Sequence, residues 1–246
     1  MNDLGLRADI SARYKPFFEA VLSQHQPKIH SIHIVGSALT RDYDPKTSDI
    51  NSVIVLLKMD LKFLEDLAPL GKKYGKKRIA APLIMTPAYI DNSLDVFPIE
   101  FLNIQLLHHT VFGETIFEDV AINKSDLRYQ CERELKVKLI SLRQGYISAA
   151  GDQSILNRGF IDSIAGYMPL FKAILVMLGQ KEVPRNNKEI LAVLEEVSGV
   201  HLDVFKKVLD QKKRKTKPSI EQLNLVFEDY YKAIEKLGEI TDALED

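Results

Sequence analysis

Five positions near one another in the sequence have the types and spacing to do chemistry: Gly36, Ser37, Ser48, Asp49 and Asn51. An apolar run at residues 32–35 stops at Gly36-Ser37, and a second at residues 53–57 begins just after Asn51. β-Branched runs bounded by turn residues read as strands. Asp49 and Asn51 are two apart, so in a strand they share a face while Ile50 points the other way. A carboxylate and an amide carbonyl on one face, beside a Gly-Ser turn, can hold a divalent cation and phosphate oxygens. Glu100 lies between Ile99 and Phe101 in a run at residues 96–104 that reads as a strand, with Pro98 near its start where proline is tolerated. There Glu100 is either a third carboxylate beside a metal site or a surface-facing strand glutamate, and Asp95 is its rival.

These residues need elements to position them. Residues 6–23 form an amphipathic pattern, with Ile10, Tyr14, Phe17, Phe18 and Val21 near helical spacing. Residues 61–71 read as a short helix over the sheet, followed by a basic loop at residues 72–78, K-K-Y-G-K-K-R, which is either a solvated turn or a patch facing a polyanion. Residues 80–85 read as a third strand, and Thr86-Pro87 fits a helix N-cap with proline at the first helical position. His108 and His109 are adjacent, so they do not share a face and make a poor two-histidine metal site. From Asp126 onward the period is helical, and the boundary is placed at residue 124. The last helix opens at Ser219-Ile220-Glu221-Gln222, a plausible cap, after a basic hinge at residues 212–217. The expected organisation is therefore α+β: a mixed sheet with flanking helices over residues 1–124, then an all-helical bundle over residues 125–246.

The spacing Gly36-Ser37, a polar gap, then Ser48-Asp49-Ile50 resembles the signature of the nucleotidyltransferase superfamily related to DNA polymerase beta, and its small bacterial and antibiotic-modifying members above all. Asn51 stands where an active member usually has a second Asp. The resemblance implies transfer of a nucleoside monophosphate from a nucleoside triphosphate, ATP first, to an unknown acceptor hydroxyl with Mg2+. It implies that Gly36 and Ser37, with Ser48, cradle the phosphates. Asp49 would hold the metal, Asn51 would take the second ligand position, and Glu100 would complete the site or act as base. Asn51 lacks the charge that offsets a dipositive ion, which leaves two alternatives open: a nucleotide-binding regulator without turnover, and a protein-interaction module.

Composition bounds the reading. The chain has 246 residues and a formal net charge of −1, which argues against bulk electrostatic binding to nucleic acid. Its single cysteine, Cys131, excludes a disulfide framework and a cysteine metal cluster. Met1-Asn2-Asp3 shows no secretory pattern, and the apolar run at residues 164–178 is interrupted by Gly166, Pro169 and Lys172. A cytoplasmic protein is expected, without a membrane partner and compatible with a homodimer.

Overall fold

The computed structural model describes residues 4–214 and 217–244. Met1-Asn2-Asp3 and part of the basic hinge, Lys215 and Thr216, lie outside the described residues. The chain divides into two compact units, one of Met1–Leu94 with Phe101–Ala121 and one of Asp95–Glu100 with Ile122–Asp246.

The first unit is built on a four-stranded mixed sheet: β1 (Ile29–Val35), β2 (Asn51–Leu56), β3 (Leu83–Met85) and β4 (His108–Gly113), in the order β3-β2-β1-β4. β1 pairs antiparallel with both β2 and β4, while β3 runs parallel to β2. Because β1 and β2 are covered, their side chains are buried almost without alternation, from Ile32 to Val35 and from Ser52 to Leu56. Helix α1 (Ala8–His25) lays Ile10, Tyr14, Phe17, Phe18 and Val21 into this core. Pro16 sits inside it. Helix α2 (Leu61–Gly75) adds Phe63, Leu67 and Tyr74. It is longer than its sequence pattern suggests: the first half of the expected basic loop, Lys72 to Gly75, is its last turn, where lysines favour the negative helix end. Helix α3 (Pro87–Asp91) starts as expected, with the Thr86 hydroxyl accepting from Tyr89 N at 3.1 Å.

One element contradicts the sequence reading. Residues 96–104 are not a strand; Pro98–Leu106 form helix α4. Proline at the first helical position needs no N–H and already has a helical φ, so Pro98 starts a helix rather than marking a strand. Pro98, Ile99, Phe101, Leu102, Ile104 and Leu107 are all buried, so neither a period of two nor one of 3.6 stands out. The fourth strand instead falls at β4, where no strand was expected.

The second unit contains α5 (Lys124–Ala149), α6 (Gln153–Met177), α7 (Asn187–Ser198), α8 (Asp203–Arg214) and α9 (Ile220–Asp242). Tyr167 and Phe171 of α6, Phe205 of α8 and Tyr230 of α9 form an aromatic knot, with Phe205 and Tyr230 centroids 4.2 Å apart. Ser219 caps α9 as expected, and with Gln222 it forms a reciprocal capping box. Lys212, read as the start of a hinge, is still within α8. Helix α6 is long and apolar enough to cross a membrane by length and composition, yet Leu156, Phe160, Ile164, Tyr167 and Phe171 on it are core residues of this unit.

Candidate nucleotide-binding corner

β1 ends at Val35, and the chain turns at Gly36 with φ +74°. A side chain is strained in that conformation, whereas glycine adopts it freely. A Cβ built at Gly36 meets nothing within 4 Å, so the glycine also leaves the backbone open on that side. Gly36 N donates to Leu107 O at 3.0 Å, which fixes the turn against the segment entering β4. Ser37 follows in a single 3-10 turn and is exposed, while Ala38 beside it is buried. Thr40 donates to Ser37 O through both its amide (3.0 Å) and its hydroxyl (2.9 Å).

The polar stretch between the strands is ordered by Asp44. Its carboxylate accepts from Lys46 N and from the Thr47 hydroxyl, each at 2.9 Å, and its carbonyl accepts from Ser48 N at 2.7 Å. The Lys46 N–H, more than any other group, holds the Asp44 carboxyl below the usual carboxylate range. The Ser48 hydroxyl accepts from Asp44 N at 3.2 Å, so this candidate phosphate residue helps close the loop. Arg13 of α1 donates to Tyr43 Oη and Pro45 O, both at 3.1 Å, and ties the loop to the helix.

Beyond the loop the chain alternates: Asp49 exposed, Ile50 fully buried, Asn51 exposed, Ser52 buried. This is the shared face expected for Asp49 and Asn51. Asn51 pairs with Val35 in the β1–β2 register and is therefore next door to the Gly36 turn. Asp49 is held by a residue that the sequence signalled only as part of a basic run. Arg78 Nη1 donates to Asp49 Oδ1 at 3.3 Å and to Thr47 O at 3.0 Å. Arg78 itself has φ +57°, one of two non-glycine residues with positive φ among those described. Hydrogen bonds on both sides keep it there: Arg78 N donates to Gly75 O, and Arg78 O accepts from Ile50 N at 2.8 Å.

Glu100 is exposed in the first turn of α4, a favourable place for an acid. Its Oε2 accepts from Gln130 Nε2 at 2.8 Å, and Gln130 Oε1 accepts from Ile99 N at 2.7 Å, so one buried amide of α5 bridges the start of α4. Asp95 is exposed in the preceding turn. Of the paired histidines, His108 Nδ1 is 3.1 Å from the Ile104 and Gln105 carbonyls, and His109 Nε2 is 2.7 Å from Leu4 O. His33, in the middle of β1, is fully buried between Thr110 Oγ1 (2.9 Å) and Ser31 Oγ (2.8 Å). Burial, then the nearby His108 and His30, push its pKa down to about 4.

The donor set can be tested against the magnesium ions the resemblance implies. Among the described residues no group of three His, Cys, Asp or Glu side chains is placed to hold an ion. At the corner the Asp49 carboxylate is paired with Arg78 at 3.3 Å, and Asn51 supplies an uncharged oxygen. Magnesium takes hard, preferably anionic oxygens in near-ideal octahedral geometry. Asp49 and Asn51 do not make the anionic set that a two-ion centre needs.

No protein-family model and no curated protein sequence matches the chain. Among solved structures, it is similar to a spectinomycin adenyltransferase from Enterococcus, determined with ATP and spectinomycin. The TM-score is 0.55 at 14% identity, over 92% of this chain and 98% of that one. At that identity the likeness shows the fold alone: an α+β arrangement of mixed sheet, flanking helices and C-terminal helices.

Proposed function

We propose that the chain binds a nucleoside triphosphate, ATP first, where β1 turns at Gly36 and β2 begins at Asn51. The observation that carries this reading is the register. Val35 opposite Asn51 sets an open glycine turn and the exposed Ser37 beside the strand that carries Asp49 and Asn51, in a chain folded like an adenyltransferase. Residues 1–124 are read as the nucleotide-binding domain and residues 125–246 as the helical domain. A nucleoside triphosphate ligand favours the cytoplasm as the compartment.

Two uses of the bound nucleotide follow. In the first, the chain transfers a nucleoside monophosphate to an acceptor hydroxyl. Magnesium belongs to this reading, as do the acidic roles of Asp49 and Glu100 and the phosphate-side roles of Ser37 and Ser48. In the second, the chain is a nucleotide-binding regulator without turnover. The Arg78–Asp49 pair and the uncharged Asn51 favour the second use, because both lower the anionic charge that transfer chemistry draws on.

A thermal scan with each nucleoside triphosphate tests the binding. Ligand at 100 times its dissociation constant stabilises the native state by about 2.7 kcal/mol, and for a chain of this size that raises Tm by roughly 5–10 °C. Pyrophosphate release with a panel of hydroxyl acceptors separates the two uses. Release that Glu100→Gln and Asp49→Ala both abolish establishes transfer. A melting shift with no release on any acceptor establishes the regulator. No shift with any nucleotide refutes the proposal.

A further inference from the structure

We propose that Arg78 is the phosphate-binding cation of this corner, standing at Asp49 where a divalent ion would stand, so that a nucleoside triphosphate binds without divalent metal. The inference rests on the nucleotide-binding reading and deepens it. Three features of Arg78 support it.

The first is its hydrogen bonding. A guanidinium offers five N–H donors in a planar fork suited to phosphate. Arg78 uses Nη1 alone, shared between Thr47 O and Asp49 Oδ1, and its Nε and Nη2 make no hydrogen bond among the described residues. The side chain is 44% exposed, so the rest of the fork is open to a ligand.

The second is its backbone. A left-handed arginine is strained, and glycine would remove that strain. The conformation is enforced from both neighbours, through Gly75 O and Ile50 N. It holds the base of the side chain beside β2 while leaving the head solvated. Strained residues held in this way cluster at functional sites.

The third is charge. Asp49 and Asp44 are both close enough to Arg78 to feel it: Asp49 through the 3.3 Å ion pair, Asp44 through a carboxyl lowered in part by Arg78 and Lys46. Lys76 and Lys77 are exposed just before it in the chain, and Lys77 Nζ lies 5.5 Å from the Tyr74 ring centroid. The basic end of α2 therefore adds positive charge beside Arg78. A dication brought to Asp49 would meet this arginine; a triphosphate would be attracted by it. Asp49 and Asn51 are separated by two residues of extended chain, roughly 7 Å, and Asn51 adjoins the Gly36 turn.

The experiment is calorimetric titration of the full chain with ATP in EDTA and again in excess MgCl2, for the wild type and for Arg78→Gly. Glycine suits φ +57°, so the variant keeps the fold. The wild type is expected to bind in EDTA at least as tightly as in magnesium. Arg78→Gly is expected to lose about tenfold or more in EDTA, the usual weight of a charged phosphate contact, and to regain part of it with magnesium, because Asp49 has been released. Binding by the wild type that requires magnesium and is unchanged by Arg78→Gly overturns this inference alone. ATP binding by neither protein under either condition refutes the nucleotide-binding reading beneath it.

Discussion

Asn51→Asp is the most informative single change, because it alters charge at the corner and almost nothing else. Asn51 is exposed at the first position of β2, and Asp is nearly its isostere, so packing hardly changes. The new carboxylate would lie roughly 7 Å from Asp49 along extended chain. In a water-like surrounding two such charges repel by about 0.6 kcal/mol. At physiological salt, where the screening length is about 8 Å, about half of that survives. Arg78, already on Asp49, reduces it further. The variant without metal should therefore lose no more than about 0.5 kcal/mol, a fall in Tm of about 1–2 °C for a chain of this size. With magnesium the sign should reverse. A second anionic oxygen on the Asp49 face supplies what the natural donor set lacks, so magnesium and ATP together should raise the melting temperature of the variant more than that of the wild type. Melting scans in EDTA, in magnesium, and in magnesium with ATP give all the quantities, and pyrophosphate release read in parallel shows whether transfer is restored. A metal-free loss of several kcal/mol would mean that the Asn51 amide is structural. An unchanged response to magnesium and ATP would mean that charge at position 51 does not limit the site, and either result refutes the reasoning.

His33 makes stability depend on pH. Its folded pKa of about 4 lies below the ordinary histidine value of 6.5, so the unfolded chain takes up a proton that the folded chain refuses. The stability is complete above about pH 6.5 and is lost as pH falls towards 4, by about 3 kcal/mol in all. Urea unfolding at pH 7, 5.5 and 4.5 should show the decline, and His33→Gln should flatten it; equal slopes in both proteins would assign the decline elsewhere. Gly36 and Gly113 should respond very differently to alanine although both have positive φ. At Gly36 a Cβ meets no atom within 4 Å, so Gly36→Ala should cost about 1 kcal/mol of backbone strain and weaken ATP binding. At Gly113 a Cβ would lie 2.0 Å from His30 O, so Gly113→Ala must open the β1–β4 pairing and should cost several kcal/mol. Similar midpoints for the two variants in urea would contradict this.

The sequence made the centre of the sheet legible because burial there is nearly complete. A strand covered on both faces is a short β-branched run with turn residues at its ends, and residues 32–35 and 53–57 have that form. The edges were less legible. β4 is half-buried at almost every position, so it has no alternation to detect. α4 is apolar on too many sides to show a helical period, and the one usable signal was Pro98, the same rule that identified the start of α3 at Thr86-Pro87. That misreading put Glu100 on a strand, when it is in the first turn of a helix and bonded to Gln130. Arg78 was missed for another reason. It is 29 residues from Asp49, and nothing local distinguishes it from Lys76 and Lys77. Only the parallel bridge between Ile50 and Ile79 brings it to the site, and long-range pairing of this kind has no signature in a single sequence.

The division between legible and illegible residues follows a physical division in the corner. Gly36 and Asn51 end strands whose neighbours are buried and hydrogen-bonded on both sides, so their positions are set by the core. Asp49 and Arg78 are exposed, on segments outside the strands, and are joined by one shared nitrogen. An exposed ion pair contributes little to stability, about 0–1 kcal/mol. Exchange of the Asp49 carboxylate for a phosphate oxygen on Arg78 therefore disturbs little of the fold, whereas movement of the Gly36 turn would break its bond to Leu107 O and the sheet behind it. A ligand arriving here meets a fixed backbone on the strand side and an adaptable cation on the loop side. That combination suits a triphosphate, whose charge must be met closely but whose torsions vary. If Arg78 is the phosphate-binding cation, the specificity for charge lies there rather than in Asn51, and changing these two residues separately distinguishes a metal-free nucleotide site from a metal site that has lost one ligand.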